Sequence, residues 1–340
     1  MPKLTVAASF ARALMDFATS RGADRTALSE RSLINPAELQ NDDDRIDFAR
    51  YVALMRAGIE LCDDPALALH FGEAIDVTEI SPWSTIGTYS DTIAEGFAQF
   101  NRYARLNIEV EGAESGGRFG LTPSKGSFWL IDRRANPNDF PELTESTFAR
   151  MVCSCKRSMG GEEIVKEVHV THAAPSYRAE YDRIFCTRVF FESDKNALLF
   201  STAAMPQRPP FSSRPVHAIL TAHAEMQLSK LESTKSARGR VEELLASTLH
   251  TGDARVDAIA RTLGLSRQSL FRQLKAEGVT FERVLDELRF KIALRCLTEE
   301  KASVRRTARL VGFSEPSAFS RAFKRWTGVS PRNYLAKGGQ

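Results

Sequence analysis

The chain has 340 residues, 43% hydrophobic and 26% charged, which excludes a disordered polymer and favours two domains over a single core. The net charge of +3 hides an asymmetry: from Ser236 onward 20 Lys and Arg face 11 Asp and Glu, leaving that part about +9 and the rest about −6. Five scattered cysteines (Cys62, Cys153, Cys155, Cys186, Cys296) exclude a disulfide framework and fit a reducing compartment, and the opening stretch, interrupted by Arg12 and Asp16, reads as neither a secretory signal nor a membrane span.

In chain order, apolar residues at helical spacing predict helices over residues 8–20, 48–61, 66–75 and 93–106. Extended runs follow at 118–122, 127–132, 167–171 and 187–192, with a helix over 142–159 between the middle pair. The glycine-rich stretch 111–117 reads as a hairpin turn between two extended runs. Phe128, Trp129, Arg133 and Tyr177 are the candidate effector-binding residues, offering the aromatic wall and anion anchor that a small-ligand pocket needs. Side chains alternate along a strand, so Phe128 and Trp129 face opposite ways and at least one belongs to the core. His169 and His172, three apart on a strand, face opposite sides and do not form a joint metal site, and Cys153 and Cys155 have no partner pair. The Pro- and Ser-rich stretch 205–215 reads as a loop. Val216, Ile219, Leu220, Met226 and Leu231 then form an apolar stripe on a helix, available for pairing with a second copy or for packing back on its own domain. The polar run 232–239 reads as a hinge. The expected organisation is a domain over 1–210, a helix and linker over 211–238, and a second domain over 239–338.

Beyond Gly239 the chain becomes seven short helical segments. In VDAIARTLGLSRQSLFRQLKAEG, Val256, Ile259, Ala260 and Leu263 line one face, Gly264 permits a tight turn, and Ser266 caps a second helix whose Leu270 and Leu274 point inward. Gln268, Arg272 and Lys275 are left on the outer face. The segment 281–298 then predicts a stiff helix of about 27 Å. The pattern recurs after it: Val304, Ala308 and Val311 mark one helix, Gly312-Phe313 the turn, and Pro316 the first turn of another. Phe319 and Phe323 point inward, freeing Ser317, Ser320, Arg321 and Lys324. Fifteen of the 20 basic residues here are arginine, the side chain that forks onto phosphates and guanine edges. Two recognition helices on one rod suit double-stranded DNA, whose successive major grooves on one side lie about 34 Å apart.

The string VGFSEPSAFSRAFKRWTGVSPRNYL, with GLSRQSLFRQLKAEG upstream, closely resembles the DNA-binding module of the AraC family of transcription regulators. The resemblance implies that Gln268, Phe271, Arg272, Pro316, Ser317, Ser320 and Arg321 face DNA, and that Gly312, Phe313, Phe319, Phe323, Gly328 and Pro331 are architecture. Phe271 stands where many relatives have a polar residue, so apolar contact with a thymine methyl or a sugar is expected there. Arg309 stands where the family often has an apolar one. The N-terminal part, through His172-Ala-Ala-Pro175, Tyr181, Phe185, Val189-Phe190-Phe191 and Asn196-Ala-Leu198, resembles the arabinose-binding-type sensor domain of one subgroup, without assigning a sugar.

Together these imply a mixed α+β N-terminal sensor domain followed by an all-α C-terminal domain with two helix-turn-helix motifs. The expected function is an effector-responsive activator on repeated promoter half-sites, a homodimer meeting RNA polymerase and an unidentified small-molecule effector, in the cytoplasm and off the membrane. No catalytic residue, cofactor or metal is expected: the chain lacks a phosphate-binding glycine loop, a Gly-x-Ser-x-Gly elbow and a His-Glu-x-x-His pair. A constitutive DNA-binding regulator without effector, and an enzyme fused to a DNA-binding module, are the alternatives.

Overall fold

A computed structural model describes residues 4–42, 44–112, 117–158, 164–203, 205–209, 211–233, 235–249, 254–298 and 301–336. The chain divides into two compact units, Met1–Leu228 and Ser229–Gln340.

The first unit opens with β1 (Thr5–Ala7), α1 (Ala8–Ser20), α2 (Arg25–Ser32), β2 (Arg45–Asp47), α3 (Phe48–Leu61) and α4 (Leu67–Ala74). Strands β1 and β2 pair antiparallel, with Val6 also bridging to Ile108. Three residues each, they are too short for alternation to reveal, and α2 escapes the sequence pattern because it buries only Leu28 and Ser32. Helices α1 and α3 turn apolar faces (Phe10, Leu14 and Met15; Tyr51, Leu54 and Met55) into one core. Short helices α5 (Val77–Ile80) and α6 (Pro82–Thr85) lead to α7 (Ile93–Asn107), capped by Thr92, whose side chain accepts from the Glu95 N–H.

The sheet comprises β3 (Phe119–Ser124), β4 (Ser127–Asp132), β5 (Val165–His169), β6 (Arg188–Phe190) and β7 (Ala197–Ser201), in the order β3-β4-β7-β5-β6. The tight hairpin is β3–β4, turning at Lys125-Gly126, rather than at 111–117. Ile108, just upstream of that stretch, bridges to β1 instead of pairing with β3, and residues 113–116 lie outside those described. Among the described strands only β5 and β6 run parallel, which requires a crossover; α9 (Arg178–Phe185) supplies it. Neither α9 nor β7 was predicted as an element, although Tyr181, Ile184 and Phe185 sit at the i, i+3, i+4 spacing of a buried helix face.

Helix α8 (Pro141–Ser158) packs between the sheet and the N-terminal helices, and from Leu143 to Val152 every residue is buried. Phe148, Ala149 and Val152 join Phe128, Leu130, Val168, Leu198 and Phe200 of the sheet in a second core. A helix buried all round is ordinarily apolar; this one carries Thr144, Glu145, Ser146, Thr147 and Arg150. Helix α10 (Arg214–Ser233) follows and runs past Leu228, where the first unit ends. Its predicted stripe is split: Leu231 is buried, whereas Val216, Ile219 (70% exposed) and Met226 (60%) face outward.

The second unit contains α11 (Ala237–Thr248), α12 (Val256–Thr262), α13 (Arg267–Ala276), α14 (Phe281–Thr298), α15 (Val304–Leu310), α16 (Pro316–Thr327) and α17 (Pro331–Ala336). Helix α14 spans the predicted rod without a break and divides its side chains between two cores. Phe281 and Val284 pack with Ile259, Ala260, Leu270 and Leu274; Ala293 and Leu297 pack with Ala308, Val311, Phe319 and Phe323. Leu285 touches both. Helix α11 is shared likewise, through Val241 and Leu245 in the first core and Leu249 just past its end in the second.

Candidate nucleic-acid interface

Helix α13 starts where Ser266 accepts the Ser269 N–H at 3.1 Å, and α16 starts on Pro316, whose fixed φ suits a first turn and whose missing N–H costs nothing there. Leu270 and Leu274, like Phe319 and Phe323, are fully buried. With one face of each helix anchored, the opposite faces are set: Gln268, Arg272 and Lys275 on α13, and Ser317, Arg321 and Lys324 on α16, are exposed at the same i, i+4, i+7 spacing. The two turns are not identical. Four residues separate α12 from α13 and five separate α15 from α16, so the second motif holds one more residue in its turn.

The remaining candidates are more committed. Phe271 is half-buried against the first core with the Arg267 guanidinium 5.4 Å from its ring centre, so only part of the ring remains for a thymine methyl or sugar. Ser320 is half-buried and its hydroxyl donates to the Pro316 carbonyl at 2.8 Å, leaving it only as an acceptor. Pro316 is half-buried, and Arg309 is exposed on α15 outside the core.

Other arginines hold the unit together. Arg289, half-buried on α14, donates to the Val311 carbonyl at 3.1 Å and stacks 4.6 Å from the centre of Phe313, bracing the turn of the second motif. Arg325 pairs with Asp286 of α14 at 2.6 Å, so it is less available for phosphate contact than Lys324. Arg238 reaches Glu287 at 2.6 Å, and Glu277 at the end of α13 accepts the Ala237 and Arg238 N–H groups, capping α11. By contrast, Arg272, Lys275, Arg321 and Lys324 have no ion-pair partner among the described residues.

Residues 22–209 match the model of the arabinose-binding domain of AraC transcription regulators, and 259–337 match a helix-turn-helix domain. The chain belongs to the AraC family. It is a DNA-binding transcription regulator with an arabinose-binding-type N-terminal domain, built as a mixed α and β unit followed by a helical one. It is 27% identical over 336 residues to the ornithine utilization regulator of Pseudomonas aeruginosa, covering 97% of this chain and 96% of that one. It is also 27% identical over 339 residues to the regulator VirS of Mycobacterium tuberculosis, covering 95% and 94%, and 20% identical over 230 residues to the virulence regulon transcriptional activator VirF of Shigella flexneri, covering 65% and 86%. Among solved structures, the regulator CdpR of Pseudomonas aeruginosa aligns with 79% of this chain and 86% of its own at 18% identity and a TM-score of 0.40.

In this AraC-family chain the four candidate effector residues do not converge. Phe128 lies on the core face of β4, stacked on Phe200 with ring centres 5.2 Å apart. Trp129 lies on the other face, edge-on to His169 and beneath the Lys195 ammonium at 4.2 Å. Exposed Arg133 follows that face and lies over Gly120, where a Cβ would collide with its guanidinium. Tyr177 is across the core, donating to Glu145 at 2.9 Å. His169 and His172 likewise separate, the first against Phe190 and the second against Tyr181 and Phe191. Among the described residues no three of His, Cys, Asp and Glu gather as a metal site, and no helix is long and apolar enough to cross a membrane.

The residues missed by sequence reasoning sit on buried α8. Glu145 accepts the Tyr181 and Tyr177 hydroxyls at 2.5 and 2.9 Å; burial nonetheless pushes its carboxyl above the usual range. Arg150 is 8% exposed. The available signal was polar side chains in the run TESTFAR, whose two helix faces are both flanked by apolar elements.

Proposed function

We propose that this regulator reads DNA through two bipartite contacts per chain, Gln268, Phe271, Arg272 and Lys275 in one major groove and Pro316, Ser317, Ser320, Arg321 and Lys324 in the next. The carrying observation is the paired stripe of unengaged side chains at equal spacing on two helices that one unbroken rod braces from two cores. Arg272 and Arg321, with their guanidiniums free, supply base-edge or phosphate contacts; Lys275 and Lys324 supply salt-sensitive affinity. The N-terminal domain senses a small effector, and effector binding shifts the population of DNA-competent states. The chain acts as a homodimer, in the cytoplasm, as a non-enzymatic activator contacting RNA polymerase. The outward apolar residues Val216, Ile219 and Met226 of α10 support pairing between copies.

Selection of full-length protein against random duplexes at moderate salt tests the DNA reading. The expected product is a site of two short elements about one helical turn apart. Enrichment of a single element, or none, overturns it.

A further inference from the structure

Buried α8 presents Thr144, Thr147 and Arg150 along one side, and three guanidiniums gather there. Arg134 donates to Thr144 at 2.6 Å and to the Phe140 carbonyl at 3.0 Å. Arg118 donates to Asp132 at 2.7 Å and to Thr147 at 3.3 Å. Asp132, fully enclosed, also accepts the Arg134 backbone N–H and lies 3.9 Å from its guanidinium. Asp132 thus serves two arginines, and the Glu142 carboxylate also attracts Arg134. The third, Arg150, makes neither a hydrogen bond nor an ion pair with any described residue, and the centre of the Phe10 ring lies 5.5 Å from its guanidinium carbon.

An arginine more than nine-tenths buried is normally forked onto a carboxylate or carbonyls, because its five donors lose water on burial. Burial, reinforced by repulsion from Arg118, lowers the Arg150 pKa to about 10, which still leaves it charged at neutral pH. Arg150 keeps 8% of its surface exposed, so the residue is not wholly sealed. Tyr51, whose hydroxyl feels the Arg150 charge and has no hydrogen-bond partner among the described residues, lies beside it, edge-on to Phe140.

We propose that Arg150 anchors the effector and that the effector is a small organic monocarboxylate, forked by the Arg150 guanidinium with its hydrocarbon part against Phe10 and Tyr51. Three guanidiniums set against the carboxylates of Asp132 and Glu142, the second of which also acts on Arg134, leave one positive charge to match one carboxylate; a phosphate dianion would leave excess negative charge in the same enclosure. This rests on the sensor reading of the N-terminal domain and supplies the ligand chemistry that the scattered Phe128, Trp129, Arg133 and Tyr177 do not.

The test uses the full-length protein and fluorine NMR of 4-fluorobenzoate, with 4-fluorobenzamide as the neutral isostere, and acetate, propionate, chloride and inorganic phosphate as competitors. The benzoate signal should broaden with protein and the amide signal should not, with propionate displacing it. Arg150→Met should weaken binding at least tenfold while the melting temperature holds or rises, because an unpaired buried charge has gone; a merely structural arginine would lower it. Should that variant fail to fold, Arg150→Lys, which keeps charge but loses the fork, should bind more weakly than the parent protein. The site is overturned if no carboxylate binds, if Arg150→Met binds as the parent does, or if chloride or phosphate displaces the probe as well as propionate. Footprinting of a selected duplex with and without propionate separates the two readings: binding at Arg150 that leaves DNA affinity unchanged overturns the sensor role and keeps the site, whereas absent carboxylate binding overturns the site and leaves DNA recognition standing.

Discussion

Gly264 and Gly312 occupy matching turns, yet the structure predicts different losses on substitution by alanine. Both have positive φ, +67° and +75°, so any Cβ costs about 1–2 kcal/mol in backbone conformation. At Gly264 the Cβ meets nothing within 4 Å. At Gly312 it would lie 2.5 Å from the Leu249 carbonyl oxygen, and ordinary contact begins at 3.4 Å, so the turn must retreat by about 0.9 Å. That retreat moves a turn held by Arg289 on the Val311 carbonyl and a core containing Leu249, Phe319 and Phe323, adding about 1–3 kcal/mol of overpacking. Gly264→Ala should therefore lose about 1–2 kcal/mol and Gly312→Ala about 2–5 kcal/mol. Urea unfolding in a Trp83→Phe, Trp129→Phe background would read the second core through Trp326, which packs beside Phe290 and Phe313. Equal losses at the two glycines, or a Gly312→Ala loss below about 0.5 kcal/mol, would show that the carbonyl contact does not constrain the turn.

Arg272→Ala should reduce discrimination at one base position by about 1–3 kcal/mol, whereas Lys324→Ala should weaken all duplexes alike and reduce the salt slope by about 1; binding titrations on matched and mismatched sites at several salt concentrations decide between these roles. Glu145 gives a pH signature. Burial raises its folded-state pKa above the unfolded value, outweighing the two tyrosine hydrogen bonds, so its contribution favours the native state at acid pH and is lost as pH rises through the folded value. Glu145→Gln should then be more stable than the parent at pH 8 and no more stable at pH 4; a gain that is the same at both, followed by thermal melts, would contradict burial of a charged carboxylate there.

The AraC-type module was legible because its signals are local. A capped helix, a glycine turn and the alternation of core and outward positions are all complete within about twenty residues, so Ser266, Gly264, Gly312, Pro316 and the rod Phe281–Thr298 stand where periodicity puts them. The same holds for α1, α3 and β4, whose patterns are long enough to declare their type. What chain order could not decide was long-range pairing. Which face of β4 becomes core depends on β7 and α8, so only the tertiary structure separates Phe128 from Trp129; which arginines are spent on carboxylates depends on residues far along the chain, as Arg325 on Asp286 and Arg118 on Asp132 show. Arg150 is the sharpest case. In sequence it is one charge in an amphipathic run, and its lack of a partner becomes visible only when every helix and strand around α8 has been put in place.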